Sequence, residues 1–252
     1  MISVVVNGCN GKMGQVLINK LIESEGFKVV GGIDKNTLSK DIPVFNNING
    51  IKEDVDVIID FSNRECLAEL LKYGLDNNVG LVIATTGLTN EDKLEIYEAS
   101  KKIPIFNSSN TSVGINTLIE IIKGTVKALS DSFDIEIIEK HHNQKLDAPS
   151  GTAFMLANQI NNELNNSMKL IYGRNGDNAK RSKNEIGIHA VRGGTIAGEH
   201  TIIFAGDDEI IELKHIALSK KIFANGAIDA ARFISTKNNG LYNMSDVIKA
   251  KY

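Results

Sequence analysis

In the first half of the chain, short apolar runs alternate with segments whose apolar residues recur at helical spacing. The apolar runs predict five strands, at residues 4–6, 27–33, 55–61, 81–85 and 103–106. Helices are predicted after the first strand, at residues 13–23, and after the third and fourth strands. Strands and helices that alternate in this way predict an α/β fold, a Rossmann-like doubly wound parallel sheet that binds ligands at the carboxyl ends of its strands.

Two of these helices carry recognisable start signals. Ser62 is predicted to begin one of them, with Glu65 completing a capping box. Thr89 is predicted to cap the next, whose buried side we expect to be formed by Leu94, Ile96 and Tyr97.

The pattern changes after Asn110. Helices are predicted at residues 112–130 and 153–164, with an alternating strand before the second. A polar stretch at 165–184 precedes three strand-like runs, at 186–191, 195–205 and 209–218. Their short connections, Arg192-Gly193-Gly194 and Gly206-Asp207-Asp208, are typical of hairpins. This half predicts a second, α+β domain on a mostly antiparallel sheet, followed by a helix at 221–235.

The loop after the first strand reads Asn7-Gly8-Cys9-Asn10-Gly11-Lys12-Met13-Gly14. Glycines at this spacing permit a tight turn, close approach of a pyrophosphate to the backbone, and close packing of helix on strand. Asp34 ends the second strand twenty positions after Gly14, where an acidic residue can bond a ribose 2′-hydroxyl. These features predict a nucleotide site. The alternative is that the loop is an ordinary Gly-rich turn and that Asp34 is a solvated residue at the start of another turn.

Two polar turns follow later strands of the same predicted sheet. They are Ala84-Thr85-Thr86-Gly87 and Ser108-Ser109-Asn110-Thr111. Either alone would be an ordinary loop. Because the carboxyl ends of parallel strands share one edge of the sheet, we expect both turns to line the nucleotide site.

The stretch EIIEKHHNQKLDAPSGTA, at residues 136–153, is the densest in groups suited to catalysis. It places His141 and His142 after a strand, then Lys145, then Ser150-Gly151-Thr152 at a predicted helix start. Imidazoles titrate near neutrality, an ammonium attracts anions, and a helix N-terminus offers N–H groups to carboxylates. The stretch therefore predicts a site that protonates a bound polyanion. The alternative is a polar loop in which Ser150 is only an N-cap.

The second half of the chain contains three other histidines and an arginine, Arg192, beside a glycine pair. Arg192 is expected in a tight hairpin near the anion site. His200 and His215 alternate with apolar residues, so we expect them to be strand histidines with satisfied ring nitrogens. His189 has no partner in the sequence, and no role is predicted for it.

Composition excludes several classes of function. The 252 residues suit two modest domains, and the net charge of -3 argues against nucleic acid as a partner. No apolar run approaches the roughly 18 residues of a membrane span, and no signal peptide precedes the first strand. Cys9 and Cys66 lack metal-ligand spacing and suit a reducing cytosol. We expect a cytoplasmic protein without a metal.

As a whole, E-x-x-E-x-H-H-x-x-K-x-D-x-P-S-G-T-A resembles the signature of the 4-hydroxy-tetrahydrodipicolinate reductase (dihydrodipicolinate reductase) family. The resemblance implies NAD(P)H-dependent reduction of 4-hydroxy-2,3,4,5-tetrahydrodipicolinate, a cyclic dicarboxylate, in diaminopimelate and lysine biosynthesis. It implies that His141 is the catalytic acid/base and Lys145 a second proton donor. It assigns the substrate to His142 and to the turn formed by Ser150, Gly151 and Thr152.

The same resemblance implies a dinucleotide cofactor, NADH or NADPH. The residues that would hold it are Gly8, Cys9, Asn10, Gly11, Lys12, Met13, Asp34, Lys35, Ala84, Thr85, Thr86, Ser108, Ser109, Asn110 and Thr111. Ala84 departs from the family, which has glycine there. Thr111 also departs, since a large apolar residue often lies near the nicotinamide at that position.

The resemblance further implies a dinucleotide-binding domain at 1–111, completed by 221–252, and a substrate-binding and oligomerisation domain at 112–220. The family commonly forms homotetramers and closes its domains to expel water. One alternative is another nicotinamide-dependent dehydrogenase, acting on aspartate or homoserine, which would not need the His-His-x-x-Lys string. Another is a non-catalytic NAD(H)-binding redox sensor, which would need an output module that the sequence does not show.

Overall fold

The computed structural model describes residues 1–38 and 41–251. Within them, the strands are β1 (Ile2–Asn7), β2 (Phe27–Ile33), β3 (Val44–Phe45), β4 (Val57–Asp60), β5 (Gly80–Ile83), β6 (Pro104–Asn107), β7 (Asp134–His141), β8 (Lys169–Tyr172), β9 (Glu185–Arg192), β10 (Gly198–Ala205), β11 (Ile210–Ala217) and β12 (Gly240–Tyr242). The helices are α1 (Lys12–Glu23), α2 (Leu67–Asn77), α3 (Asn90–Ser100), α4 (Val113–Leu129), α5 (Gly151–Glu163), α6 (Lys221–Ile234) and α7 (Met244–Lys249). The chain divides into two compact units, Met1–Val113 with Lys220–Tyr252, and Gly114–Ser219.

The first unit is a seven-stranded sheet with strand order β12-β6-β5-β4-β1-β2-β3. All of its strand pairs are parallel. Helices α1, α6 and α7 pack on one face, and α2 and α3 pack on the other. Because both faces are covered, the central strands are apolar throughout, as Val57, Ile58 and Ile59 illustrate. The Rossmann-like doubly wound parallel sheet is confirmed.

The second unit is a five-stranded sheet with strand order β11-β10-β7-β9-β8. Its central strand, β7, alternates buried residues such as Ile135 and Ile137 with half-buried ones. The buried face packs on α4 and α5 through Leu118, Ile122 and Leu156. The unit is α+β, as predicted.

The sheet of the second unit is mixed rather than mostly antiparallel. Strand β7 is antiparallel to β10 but parallel to β9, and β9 is parallel to β8. The predicted hairpin at Arg192-Gly193-Gly194 is therefore wrong, because β7 lies between β9 and β10. The hairpin at Gly206-Asp207-Asp208 does join β10 to β11. Strand β8 arises inside the stretch read as polar, from Lys169–Tyr172.

Several local predictions for the first unit were also wrong. Asn63, not Ser62, accepts the capping hydrogen bond before α2, from the backbone N–H of Glu65. Leu94 and Tyr97 are exposed on α3, where only Ile96 of the predicted three is buried. The short edge strands β3 and β12 had not been predicted. Thr89 does cap α3, in a capping box with Asp92.

Candidate active site

The glycine loop joins β1 to α1 at the carboxyl edge of the parallel sheet. A Cβ added at Gly14 would overlap the carbonyl oxygen of Gly8 and the backbone of Cys9, so this position requires glycine. Helix α1 begins with no side-chain cap at Gly11 and no acidic residue in its first turn. A helix N-terminus of this kind suits the negative charge of a pyrophosphate.

Asp34 lies beside this loop at the end of β2. One of its carboxylate oxygens accepts the N–H of Asn10 at 3.0 Å, and the other accepts the N–H of Asn36 at 3.2 Å. Each carboxylate oxygen has further acceptor capacity, so the anchored group can still receive hydroxyl donors. The neighbouring Lys35 is exposed, and its ammonium lies 4.0 Å from the Glu65 carboxylate.

Two cavities border the loop. One, of about 530 Å³, is lined by Gly8, Gly11, Asp34, Lys35, Glu65 and Glu69, among others. The other, of about 260 Å³, is lined by Met13, Phe61, Ser62, Ala84, Thr85, Thr86, Ser109, Thr111 and Phe223. A third concave region joins Thr85 and Thr86 to Ser108 and Ser109. The three predicted strand-end segments thus meet along one edge, and together they fit an extended dinucleotide.

Some predicted cofactor residues have side chains that are buried or bonded within the protein. The Cys9 side chain is fully buried, and burial raises the pKa of its thiol to about 11. Asn110 is buried, and its side-chain oxygen accepts the N–H of Ser112. The Thr111 hydroxyl donates to the carbonyl of Phe223 on α6 at 2.7 Å, although the residue still lines the smaller cavity.

Sequence reasoning missed the residues at the carboxyl end of β4. Asp60 is buried and accepts from the Asn7 amide at 2.8 Å and from the Thr85 hydroxyl at 2.7 Å, which ties three strand ends together. Phe61 and Ser62 line both cavities. Their position after a parallel strand was a usable signal, but Ser62 had been assigned to a helix cap instead.

In the second unit, His141 ends β7 with its imidazole largely buried. Its Nδ1 lies 2.6 Å from Oε2 of Glu139, whose side chain is fully buried. Arg192 donates to both oxygens of that carboxylate, at 2.7 and 2.8 Å, and the Ser150 N–H adds a fourth bond at 2.9 Å. Burial alone would raise the pKa of the Glu139 carboxyl, but the bonds from Arg192 and His141 bring it below its usual value.

Ser150 is the N-cap of α5, as the simpler interpretation of the sequence had it. Its hydroxyl accepts the N–H of Ala153 and lies 3.0 Å from Nε2 of His200. The His200 ring contacts the His141 ring edge-on, with centroids 5.3 Å apart. Burial, followed by the nearby His141, lowers the pKa of His200 to about 4, so this ring stays neutral at neutral pH.

The remaining predicted residues surround the start of α5. The Lys145 ammonium lies 2.7 Å from the Asp147 carboxylate and lowers the pKa of that carboxyl. Gly151 is exposed at the first position of α5, with open space around it. Thr152 and His142 are half-buried. Asp147 also accepts the N–H of Gly151, and Lys145 lies close enough to His200 to affect its pKa, so basic groups and a helix N-terminus lie together. Such an arrangement can bind a carboxylate and exchange a proton.

The other histidines differ from expectation. His200 and His215 lie on β10 and β11 as predicted, and Nε2 of His200 lies 3.0 Å from the Ser150 hydroxyl. Their Nδ1 atoms are buried with no hydrogen-bond partner among the described residues, so neither ring is fully satisfied. His189, for which no partner was expected, pairs with Glu136 at 2.7 Å. Arg192 is engaged with Glu139 rather than placed on a hairpin.

The first unit has a Rossmann-like sheet, a glycine loop and an acidic residue after β2. The second unit of the same chain has buried acid–base groups. This combination defines a dinucleotide-dependent oxidoreductase. The models of the N- and C-terminal domains of dihydrodipicolinate reductase match residues 2–111 and 114–248. The chain therefore belongs to the dihydrodipicolinate reductase family. No helix within residues 1–38 and 41–251 is long and apolar enough to span a membrane.

Individual relatives agree with the family match. The 4-hydroxy-tetrahydrodipicolinate reductase of Caldanaerobacter subterraneus subsp. tengcongensis is 50% identical, over 99% of both chains. That of Clostridium novyi is 50% identical over 100% of both. Among solved structures, a dipicolinate-bound dihydrodipicolinate reductase from Paenisporosarcina sp. TG-14 has a TM-score of 0.78 and 27% identity, covering 98% of this chain and 99% of that one.

Proposed function

We propose that this protein reduces 4-hydroxy-2,3,4,5-tetrahydrodipicolinate to 2,3,4,5-tetrahydrodipicolinate and water, in diaminopimelate and lysine biosynthesis. The observation that carries the proposal is the Glu139–His141 pair beside Lys145 and the N-terminus of α5, in a chain with a nicotinamide cofactor site. When bound, the reduced nicotinamide supplies the hydride. The protein must bind two carboxylates and supply a proton.

The geometry supports a proposed role for each of these residues. His141 is the acid/base, and since its Nδ1 faces Glu139, its Nε2 is the nitrogen that exchanges the proton. Lys145 and the backbone N–H groups of Gly151 and Thr152 bind substrate carboxylate, with His142 as a further contact. Ser150 shapes the turn as its N-cap. The glycine loop, Asp34 and the turns after β5 and β6 hold the cofactor.

The test is NADH oxidation, followed by the loss of absorbance of the reduced nicotinamide. Aspartate semialdehyde, pyruvate and a dihydrodipicolinate synthase generate the substrate in the cuvette. Oxidation that requires the synthase and both of its substrates supports the proposal. Oxidation with aspartate semialdehyde alone would indicate a different dehydrogenase, and cofactor binding without any turnover would indicate a sensor.

We predict that both cofactors work and that NADH is favoured. The larger cavity is lined by the carboxylates of Asp34, Glu65 and Glu69, which repel a 2′-phosphate. Lys35 offsets this only weakly, because it is exposed and already lies near Glu65. Asp34→Ala should shift the kcat/KM ratio toward NADPH, and Lys35→Ala should shift it toward NADH by less. An Asp34→Ala enzyme with an unchanged ratio would mean that the ribose is recognised elsewhere.

A homotetramer and a cytoplasmic location complete the proposal. Helices α4 and α5 cover one face of the second unit's sheet, while the other face carries half-buried or exposed apolar residues, including Ile138, Ile203, Ile210 and Ile216. Such a face is suited to a second copy of the chain. Light scattering after size exclusion tests the mass. The free thiols of Cys9 and Cys66 suit a reducing compartment.

A further inference from the structure

A group of buried charges in the second unit surrounds Glu139. This carboxylate has no exposed surface, and its four hydrogen bonds come from Arg192 twice, from His141 and from the Ser150 backbone. Arg192 also donates to the carbonyl of Asp147 at 2.8 Å. Glu139 therefore connects β7, β9 and the turn that precedes α5.

We propose that Glu139, held by Arg192, is a positioning residue that fixes the tautomer and ring orientation of His141. This inference rests on the proposed function, because it assigns a means by which His141 becomes competent in that reaction. Glu139 itself touches neither substrate nor cofactor; it acts through the imidazole.

The argument for the tautomer starts from the charge on Glu139. An ionised carboxylate can only accept hydrogen bonds, and the two bonds from the Arg192 guanidinium favour the ionised form. The His141 Nδ1, 2.6 Å away, must then carry the hydrogen. In the neutral ring this leaves Nε2 with a free lone pair, so Nε2 can take up a proton and later release it.

The surroundings of Nε2 are consistent with this role. The nitrogen lies beside Gly198, where an added Cβ would be only 3.1 Å away, so glycine leaves this side of the ring open. The adjacent His200 adds no positive charge at neutral pH, because burial keeps it neutral. On the backbone, the Gly193 N–H donates to the His141 carbonyl at 2.9 Å and fixes the end of β7.

The same strand provides a matched control. Glu136 also accepts from a histidine and from arginines: His189 at 2.7 Å, Arg174 at 2.9 Å and Arg181 at 3.1 Å. It lies on the opposite face of β7 from Glu139, away from His141 and α5. A Glu-to-Gln change at either position removes one negative charge from a His–Glu–Arg group, but Glu136 is half-buried and only Glu139 contacts the proposed acid/base.

The experiment compares Glu139→Gln with Glu136→Gln in the coupled assay. Glutamine at 139 can donate to Nδ1 and so stabilise the wrong tautomer, a change that lowers turnover severely in other histidine–carboxylate pairs. We expect kcat to fall by roughly 10²-fold or more, with the NADH dissociation constant and the substrate KM within about threefold of wild type. Glu136→Gln should keep a kcat close to wild type.

Two further measurements separate positioning from a structural role. Ring ¹⁵N shifts of His141 should show hydrogen on Nδ1 in the wild type and a different tautomer ratio in Glu139→Gln, whether or not the enzyme turns over. In a His141→Gln background, adding Glu139→Gln should cost almost nothing further, because both changes remove the same contribution. An additional large loss there would overturn the proposal in favour of a structural role.

Arg192→Lys provides a second route if Glu139→Gln does not fold. Lysine cannot make the two-pronged contact, so Glu139 should hold the imidazole less firmly and kcat should fall while KM is kept. A wild-type kcat in both Glu139→Gln and Arg192→Lys would refute positioning. Failure of the proposed function looks different, since the wild type would not turn over the coupled substrate or His141→Gln would keep full activity.

Discussion

Replacing His141 with Gln is expected to lower kcat by roughly 10²–10⁴-fold, the range that a positioned general acid or base contributes. Glutamine can still hydrogen-bond to Glu139, but it cannot carry a proton to or from the substrate. Because this interaction is used in the transition state, kcat and kcat/KM should fall together. Initial rates in the coupled assay, at saturating and limiting substrate, measure both constants.

His189→Gln is the matched control for that variant. His189 lies on β9, in the same sheet, and pairs with Glu136 much as His141 pairs with Glu139, but on the other face of the sheet. It should change kcat little. Tryptophan is absent from the chain, so NADH binding is best followed by the fluorescence of the nucleotide itself. A His141→Gln enzyme with wild-type kcat would remove His141 from the mechanism.

The parallel sheet was the part of the fold most accessible from sequence. Strands β1, β2, β4, β5 and β6 are buried on both faces, so each is a continuous apolar run bounded by turn residues. The edge strands β3 and β12 have two and three residues, too few to show any period. The apolar pattern of α3 predicted a buried side that is too wide. Ile96 is buried against the sheet, whereas Leu94 and Tyr97 are exposed.

Strand pairing in the second unit could not be predicted from local pattern. The glycines after Arg192 look like hairpin residues, yet their backbone bonds go to the end of β7, which separates β9 from β10. Turn chemistry describes how a chain reverses and carries no information about a strand inserted from elsewhere. Strand β8 was missed for a different reason: its four residues, Lys169–Tyr172, lie within a stretch that is mostly polar.

The candidate site also has a part that could be predicted from sequence and a part that could not. His141, Lys145 and the Ser150 turn are contiguous in sequence, so their grouping could be predicted from one string. Glu139 belongs to that string, but its function depends on Arg192, 53 residues away. Likewise, the contact between Ser150 and His200 spans 50 residues and depends on how β10 is paired.

The second large expected effect concerns Lys145. Its ammonium is mostly shielded from solvent, and its partner Asp147 also accepts the N–H of Gly151 at the start of α5. We therefore propose that Lys145 binds a substrate carboxylate. A charge-assisted hydrogen bond is worth about 1.5–3 kcal/mol. Because Lys145 is already paired with Asp147, the substrate exchanges one ion pair for another, and the lower end of that range applies.

Lys145→Ala should therefore raise KM by about tenfold, since 1.4 kcal/mol corresponds to a factor of ten. It should also lower kcat, because the ammonium acts as a second proton donor in the proposed reaction.

Pyridine-2,6-dicarboxylate should inhibit the wild type competitively with substrate, and its inhibition constant should rise in Lys145→Ala by a factor similar to that of KM. Lys140→Ala is the matched control, because Lys140 lies on β7 but pairs with Glu199 on the opposite face of the sheet. If the planar dicarboxylate does not compete with substrate in the wild type, the carboxylate pocket has been placed on the wrong residues. Equal inhibition of the wild type and Lys145→Ala would instead exclude Lys145 alone from that pocket.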